Sequence, residues 1–258
     1  MNRGSAIPVQ PPAADRSPTR PGDVVRSLVF YTVFYGGTVL YVLLALLAAR
    51  LRPRALQRIC NRWANFHRDC AHYILGIRVR VEGTIPGGAV MVALKHESQF
   101  EAIDLPVMLP YPVVFAKAEL LRLPGWGKVA DGYGVVAVER DQGARALRKM
   151  VADARRLTAT TRGIAIFPEG TRTPHGVQAP LQSGFAGLYK LIGLPVVPVA
   201  VNSGPLYHRR WKRAGTITLR FGETIPTGLP REEIEARVLA AINAFNERDL
   251  PHNSVLTG

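Results

Sequence analysis

The sequence predicts an α/β domain in three layers, with helices on both faces of a mainly parallel or mixed sheet of about seven strands, preceded by two N-terminal helices. Three observations predict it. Beyond Gly76, short β-rich runs alternate with helical stretches, the pattern of parallel βαβ units. Several of those runs are apolar on both faces, as strands covered on both sides must be. Ahead of them, Leu28 to Ala49 runs for 22 residues without a charge.

Residues 1–22 are rich in Pro, Arg, Ala and Ser, show no apolar period and read as a disordered tail. Residues 23–75 read as a membrane-anchoring helical segment. At about 1.5 Å per residue, an unbroken helix over Leu28–Ala49 reaches roughly 33 Å, enough to cross a hydrocarbon core. Gly36-Gly37 sits near its middle and suggests a bend into a shallow re-entrant path. Tyr31, Tyr35 and Tyr41 carry hydroxyls that favour the interface. The run is long for a signal core and begins more than twenty residues in, which argues against cleavage after Ala48-Ala49. Arg50, Arg52, Arg54, Arg58 and Arg62 follow it, against Arg20 and Arg26 before it, so the positive-inside bias puts the remaining chain in the cytoplasm, at the cell membrane.

After Pro53, Leu56, Ile59, Cys60, Trp63, Phe66, Cys70, Tyr73 and Ile74 recur at three- and four-residue steps, an amphipathic helix. The pattern leaves two placements open, against a core or in the headgroup plane. Residues 76–250 read as the α/β domain, expected to carry any catalytic site. Its predicted strands are Ile77–Val81, Ala89–Leu94, Val113–Ala116, Val135–Val138, Ile164–Phe167, Val196–Val201 and Ile217–Phe221. Its predicted helices are Glu101–Leu109, Ala144–Thr158, Gly184–Ile192 and Arg231–Glu247.

Lys and Arg number 33 against 19 Asp and Glu, a net charge of +14, which favours anionic partners. No zinc-finger spacing, RNA-recognition signature or basic zipper accompanies that charge, so nucleic acid is not the expected partner. The two cysteines, Cys60 and Cys70, lie in one stretch without ligand-like neighbours, which argues against a structural metal or a disulfide framework.

Two strings carry chemistry: Lys95-His96-Glu97-Ser98-Gln99-Phe100-Glu101 and Phe167-Pro168-Glu169-Gly170-Thr171-Arg172. In the first, His96 follows a predicted buried strand, where open α/β sheets build their sites. Glu101 stands five positions on, within reach across the start of a helix. In the second, an apolar strand ends in a turn that offers an acid, backbone N–H groups and a guanidinium. A base held by a carboxylate, with a separate anion clamp, suits transfer of a group onto the hydroxyl of a phosphorylated acceptor. Ser98 lacks a Gly-x-Ser-x-Gly setting and is expected to give a supporting hydrogen bond rather than to attack. Glu97 should point away from His96. Asp104, one turn beyond Glu101, is the rival carboxylate. Arg140, after a predicted strand, is a weaker third cation. Tyr207 to Arg213 interleaves aromatic and basic residues, a pattern open to nucleic acid, anionic lipid, an acidic acyl carrier or plain solvent.

Together the two strings resemble the 1-acylglycerol-3-phosphate acyltransferase family, whose mark is His, four residues and Asp, followed by a Phe-Pro-Glu-Gly-Thr-Arg block. Phe115-Ala116-Lys117-Ala118-Glu119-Leu120 and Val196-Val197-Pro198-Val199-Ala200-Val201-Asn202 match two further blocks in order. Position 101 departs, with Glu for the usual Asp. The resemblance implies a membrane-bound enzyme that moves an acyl group from acyl-CoA or acyl carrier protein to lysophosphatidic acid, without a cofactor or metal. It implies His96 as base and Glu101 as its partner. It puts Lys117 and Arg172 at the acceptor's phosphate, with Gly170 permitting close backbone approach and Thr171 adding a hydroxyl. Glu169 is then expected to orient Arg172 or the acceptor's hydroxyl end. Three other readings stay open: a relative with a different lyso-lipid acceptor, a lipid-binding scaffold with an idle site, and a basic nucleic-acid module.

Overall fold

Each apolar run predicted as a strand is a strand, and together they make one sheet. The computed structural model describes residues 18–51, 53–84, 88–123, 125–139, 143–158 and 162–246. Among these the strands are β1 (Ile77–Glu82), β2 (Met91–Leu94), β3 (Val113–Lys117), β4 (Val135–Val138), β5 (Ile164–Ile166), β6 (Val196–Val201) and β7 (Gly215–Phe221). They lie in the order β1-β7-β6-β2-β5-β3-β4, all neighbours parallel except the antiparallel pair β6–β7. The carboxyl ends of β6, β2, β5, β3 and β4 therefore share one rim.

The helices are α1 (Pro21–Leu51), α2 (Pro53–Tyr73), α3 (Phe100–Met108), α4 (Ala118–Leu121), α5 (Trp126–Tyr133), α6 (Gly143–Thr158), α7 (Gly184–Ile192), α8 (Gly204–Tyr207) and α9 (Arg231–Ile242). Strand alternation sorts them into layers. Val92 and Leu94 face one core with Phe30 and Phe34 of α1, Cys70 and Ala71 of α2, and Phe100 and Leu105 of α3. Met91 and Ala93 face the other, with Met150 and Val151 of α6, Phe185 and Leu188 of α7, and Ile234 and Val238 of α9.

α1 is one unbroken 31-residue helix, so Gly36-Gly37 makes no re-entrant bend. Gly37 instead admits α2: a Cβ there would lie 2.5 Å from the Phe66 ring. Trp63 donates its indole N–H to Thr38 Oγ1 across the same seam. The apolar stripe of α2 is spent on α1 and the sheet, with Leu56, Ala64 and Ala71 buried. Of the two placements open for this helix, the structure takes the core.

The two N-terminal helices thus share a core with the sheet. The opposite face of α1 is different. Leu28, Val29, Val39, Leu40, Leu43, Leu44 and Leu47 are each between 43 and 62% exposed, a continuous apolar strip on a helix long and apolar enough to cross a membrane.

Candidate active site

β2 ends at Leu94, and the chain turns through Lys95–Gln99 before α3 begins. Glu101, in the first turn of α3, is fully buried and reaches back over that turn. Its Oε1 accepts the backbone N–H groups of Glu97 and Ser98, the latter at 2.7 Å, and meets His96 Nδ1 at 3.1 Å. Its Oε2 accepts the hydroxyls of Ser98 at 3.0 Å and Ser203 at 2.7 Å. Burial pushes this carboxyl up. The hydrogen bond and charge of His96, the Ser98 N–H and the Ser203 hydroxyl outweigh that and hold it below the usual carboxylate value. The helix dipole favours the same anion. An ionised carboxylate only accepts, so His96 carries its proton on Nδ1 and keeps the Nε2 lone pair. The ring stacks on Phe167, centroids 4.1 Å apart, which fixes its plane.

The second string docks on the first. Thr173 donates its N–H to the His96 carbonyl at 2.7 Å, and Gly170 turns the chain at φ +68°. Lys95, beside His96 and 1% exposed, binds Glu169 Oε1 at 2.7 Å, the Val177 carbonyl at 2.8 Å and Asn243 Oδ1 at 2.7 Å. One ammonium therefore ties together the β2 end, the β5 loop and the end of α9. This corrects one of the two roles expected for Glu169, that of orienting Arg172. Its carboxylate is buried on Lys95 and does not orient Arg172, because a buried ammonium demands the nearest counter-charge.

Two other carboxylates are likewise accounted for. Asp104 accepts a two-pronged bond from Arg68 of α2, at 2.6 and 2.7 Å, so the rival to Glu101 is a structural pair between helices. Glu97 points away from His96, accepting His175 Nδ1 and the Gly204 N–H, each at 2.8 Å. Burial raises its carboxyl, and His175 opposes that shift.

Lys117 closes β3 and Arg172 follows β5, both exposed on the rim that carries His96. β3 and β5 are neighbours, so both cations follow from adjacent strands of the sheet. Thr171 is exposed beside Arg172. Arg140 lies outside the described residues. Arg172 also acts on His208, whose imidazole is held below its ordinary value by burial first and by that guanidinium next.

Four participants carried no assigned role in the sequence: Lys95, Ser203, His175 and Asn243. A lysine at the mouth of an all-apolar strand was the one available signal. The others meet their partners only through the fold.

Residues 76–202 match the model of the Acyltransferase family. The chain is similar to the 1-acyl-sn-glycerol-3-phosphate acyltransferase of Pseudomonas aeruginosa, 28% identical over 233 residues, covering 87% of each protein. It is similar to the human 1-acyl-sn-glycerol-3-phosphate acyltransferase alpha, 28% identical over 217 residues, 80% of this chain and 76% of that one. Its fold matches the crystal structure of the 1-acyl-sn-glycerophosphate acyltransferase PlsC from Thermotoga maritima. That match has a TM-score of 0.68 at 21% identity and covers 87% of this chain and 96% of the other.

Proposed function

The chain belongs to the acyltransferase family, its family domain spanning residues 76–202, and on that premise we propose that it acylates the free hydroxyl of lysophosphatidic acid to give phosphatidic acid. The observation that carries this reading is the dyad: a buried, five-donor carboxylate holding Nδ1 and freeing Nε2 of His96. His96 Nε2 takes the acceptor's hydroxyl proton as that oxygen attacks the thioester carbonyl. Glu101 keeps the imidazole in place and stabilises the imidazolium. Collapse of the tetrahedral intermediate breaks the C–S bond, and the departing thiolate takes the proton back from His96. The substrate hydroxyl is the nucleophile, so no acyl-enzyme forms and Ser98 stays a hydrogen-bonding support. The acyl thioester, from coenzyme A or acyl carrier protein, supplies all the chemistry the protein does not, and no cofactor enters.

In this reading Arg172 and Lys117 hold the acceptor's phosphate, with Gly170 and Thr171 lining the approach. Arg172→Lys keeps the charge but loses the planar fork. It should raise the KM for the phosphorylated acceptor more than that for the thioester, as separate saturation curves will show. A rise confined to the thioester places Arg172 at the donor instead.

The exposed strip of α1 supports membrane attachment of residues 23–75, with residues 76–250 as the catalytic domain on the cytoplasmic side. Replacing Leu40, Leu43, Leu44 and Leu47 together by serine should shift the protein from the membrane to the soluble fraction, each leucine otherwise gaining about 1.5–3 kcal/mol on full burial. Persistence of that variant in washed membranes contradicts attachment through this face.

The reaction itself is tested with purified protein, labelled acyl-CoA or acyl carrier protein, and a panel of lyso-lipids. Labelled phosphatidic acid formed in preference to all other products supports the reading. Preference for a non-phosphorylated acceptor moves the enzyme to another lyso-lipid, and no product with any acceptor leaves a scaffold.

A further inference from the structure

The loop after α8 lies against α1 beside the dyad. Lys212 donates its backbone N–H to Ser27 Oγ at 2.8 Å, and the Tyr31 hydroxyl donates to the Arg210 carbonyl at 2.5 Å. Between loop and helix is a cleft of about 350 Å³, lined among others by Tyr31, Tyr35, Gln99, Arg210 and Lys212. Gln99 stands two residues before Glu101, and His208 on the cleft wall feels the charges of Arg172, Glu101 and His96. The cleft therefore opens beside the reacting centre.

Lys212 is 7% exposed. Among the described residues the acceptor that reaches its Nζ is the Tyr207 carbonyl, at 2.8 Å. The ring faces of Tyr207 and Tyr31 lie 3.7 and 5.5 Å away. No carboxylate pairs with it among those residues. Lys95 makes the contrast plain: also buried, it has a carboxylate and two further oxygens within 2.8 Å. An ammonium has three donors and, once out of water, calls for a counter-charge. Aromatic faces meet part of that demand, and the cleft is where the rest is met. Arg210 is exposed at the mouth, and the Tyr35 hydroxyl and the Gln99 amide add neutral donors. So many donors around one buried cation suit a tetrahedral anion with several oxygens better than a carboxylate.

We propose that the cleft between α1 and the loop Tyr207–Lys212 binds a phosphate group, with Lys212 as its buried cation, as a subsite separate from Arg172 and Lys117. The site stands on its own geometry; only the source of the phosphate rests on the proposed function. That reaction brings two: the phosphate of the donor's pantetheine arm, a diphosphate in coenzyme A and a phosphodiester in an acyl carrier protein, and the headgroup of a lipid.

Pyridoxal 5′-phosphate followed by borohydride marks lysines that sit in phosphate sites, and peptide mass spectrometry locates them. With the full chain in detergent micelles, Lys212 should be labelled about tenfold more by pyridoxal 5′-phosphate than by pyridoxal. Inorganic phosphate should protect it. Protection at lower concentration by coenzyme A assigns the donor's phosphate, and by lysophosphatidic acid the lipid headgroup. Equal labelling by pyridoxal, or labelling that none of the three compounds reduces, overturns the site. None of this needs turnover, so a failed cleft leaves acyl transfer standing, and phosphate-protected labelling in a protein without transferase activity does the reverse.

Discussion

His96→Ala should lower kcat by about 10²–10⁴-fold, the usual worth of a positioned general base, while the protein stays folded. The side chain is 17% exposed and its ring lies against Phe167, so its removal opens little of the core. What is lost is the one imidazole nitrogen left free by Glu101. Binding should survive, because the proposed phosphate clamp stands on neighbouring strands, and KM should change far less than kcat. A single-turnover assay with labelled acyl thioester measures this, and unimpaired transfer by a folded His96→Ala protein removes the base.

The second large effect is on stability. Lys95→Met should destabilise the fold by about 3–5 kcal/mol, because it leaves the Glu169 carboxylate buried without its cation. Denaturant titration of the detergent-solubilised protein reads this as a lower midpoint with an unchanged slope. Lys95→Met with Glu169→Met should recover much of the loss, since two apolar side chains replace a pair whose desolvation cost is large. A double variant as unstable as the sum of the singles would mean that the ammonium's bonds to Val177 and Asn243, not the ion pair, hold the rim.

Why some of this was legible in the sequence and some not follows from range. The strands announced themselves because both faces of Met91–Leu94 and Val196–Val201 are buried, and burial on both faces leaves a continuous apolar run. His96 and Glu101 are close in sequence, so their pairing needed only a helix start. Lys95 with Asn243 and Glu97 with His175 join residues that only the sheet order brings together. The partner of Glu169 was hidden for the same reason: Lys95 is 74 positions back, while Arg172 is the near neighbour in sequence. Arg68 lies among the residues of α2 outside its apolar stripe, yet its side chain reaches Asp104 of α3. The short helices α4, α5 and α8 went unseen because four to eight residues carry too little period, and Gly125, Gly127, Gly132 and Gly134 interrupt it. Gly36-Gly37 signalled a bend by composition, whereas the demand on it is the space for Phe66.

Position 101 holds the account together, because its Glu replaces the family's usual Asp and yet collects five donors. The most direct measurement is kcat for Glu101→Gln beside Asp104→Asn, each with its melting temperature. The amide keeps the volume but cannot supply the charge that fixes the imidazole and stabilises its protonated form. Glu101→Gln is expected to lose at least about 10²-fold in kcat, approaching His96→Ala. Glu101→Asp, one methylene shorter, should fall between it and the wild type. Asp104→Asn should lower the melting temperature by loosening Arg68, with kcat within a few-fold of wild type. A folded Glu101→Gln enzyme at near wild-type kcat, beside a folded but inactive Asp104→Asn, would contradict the account and make Asp104 the partner of the base.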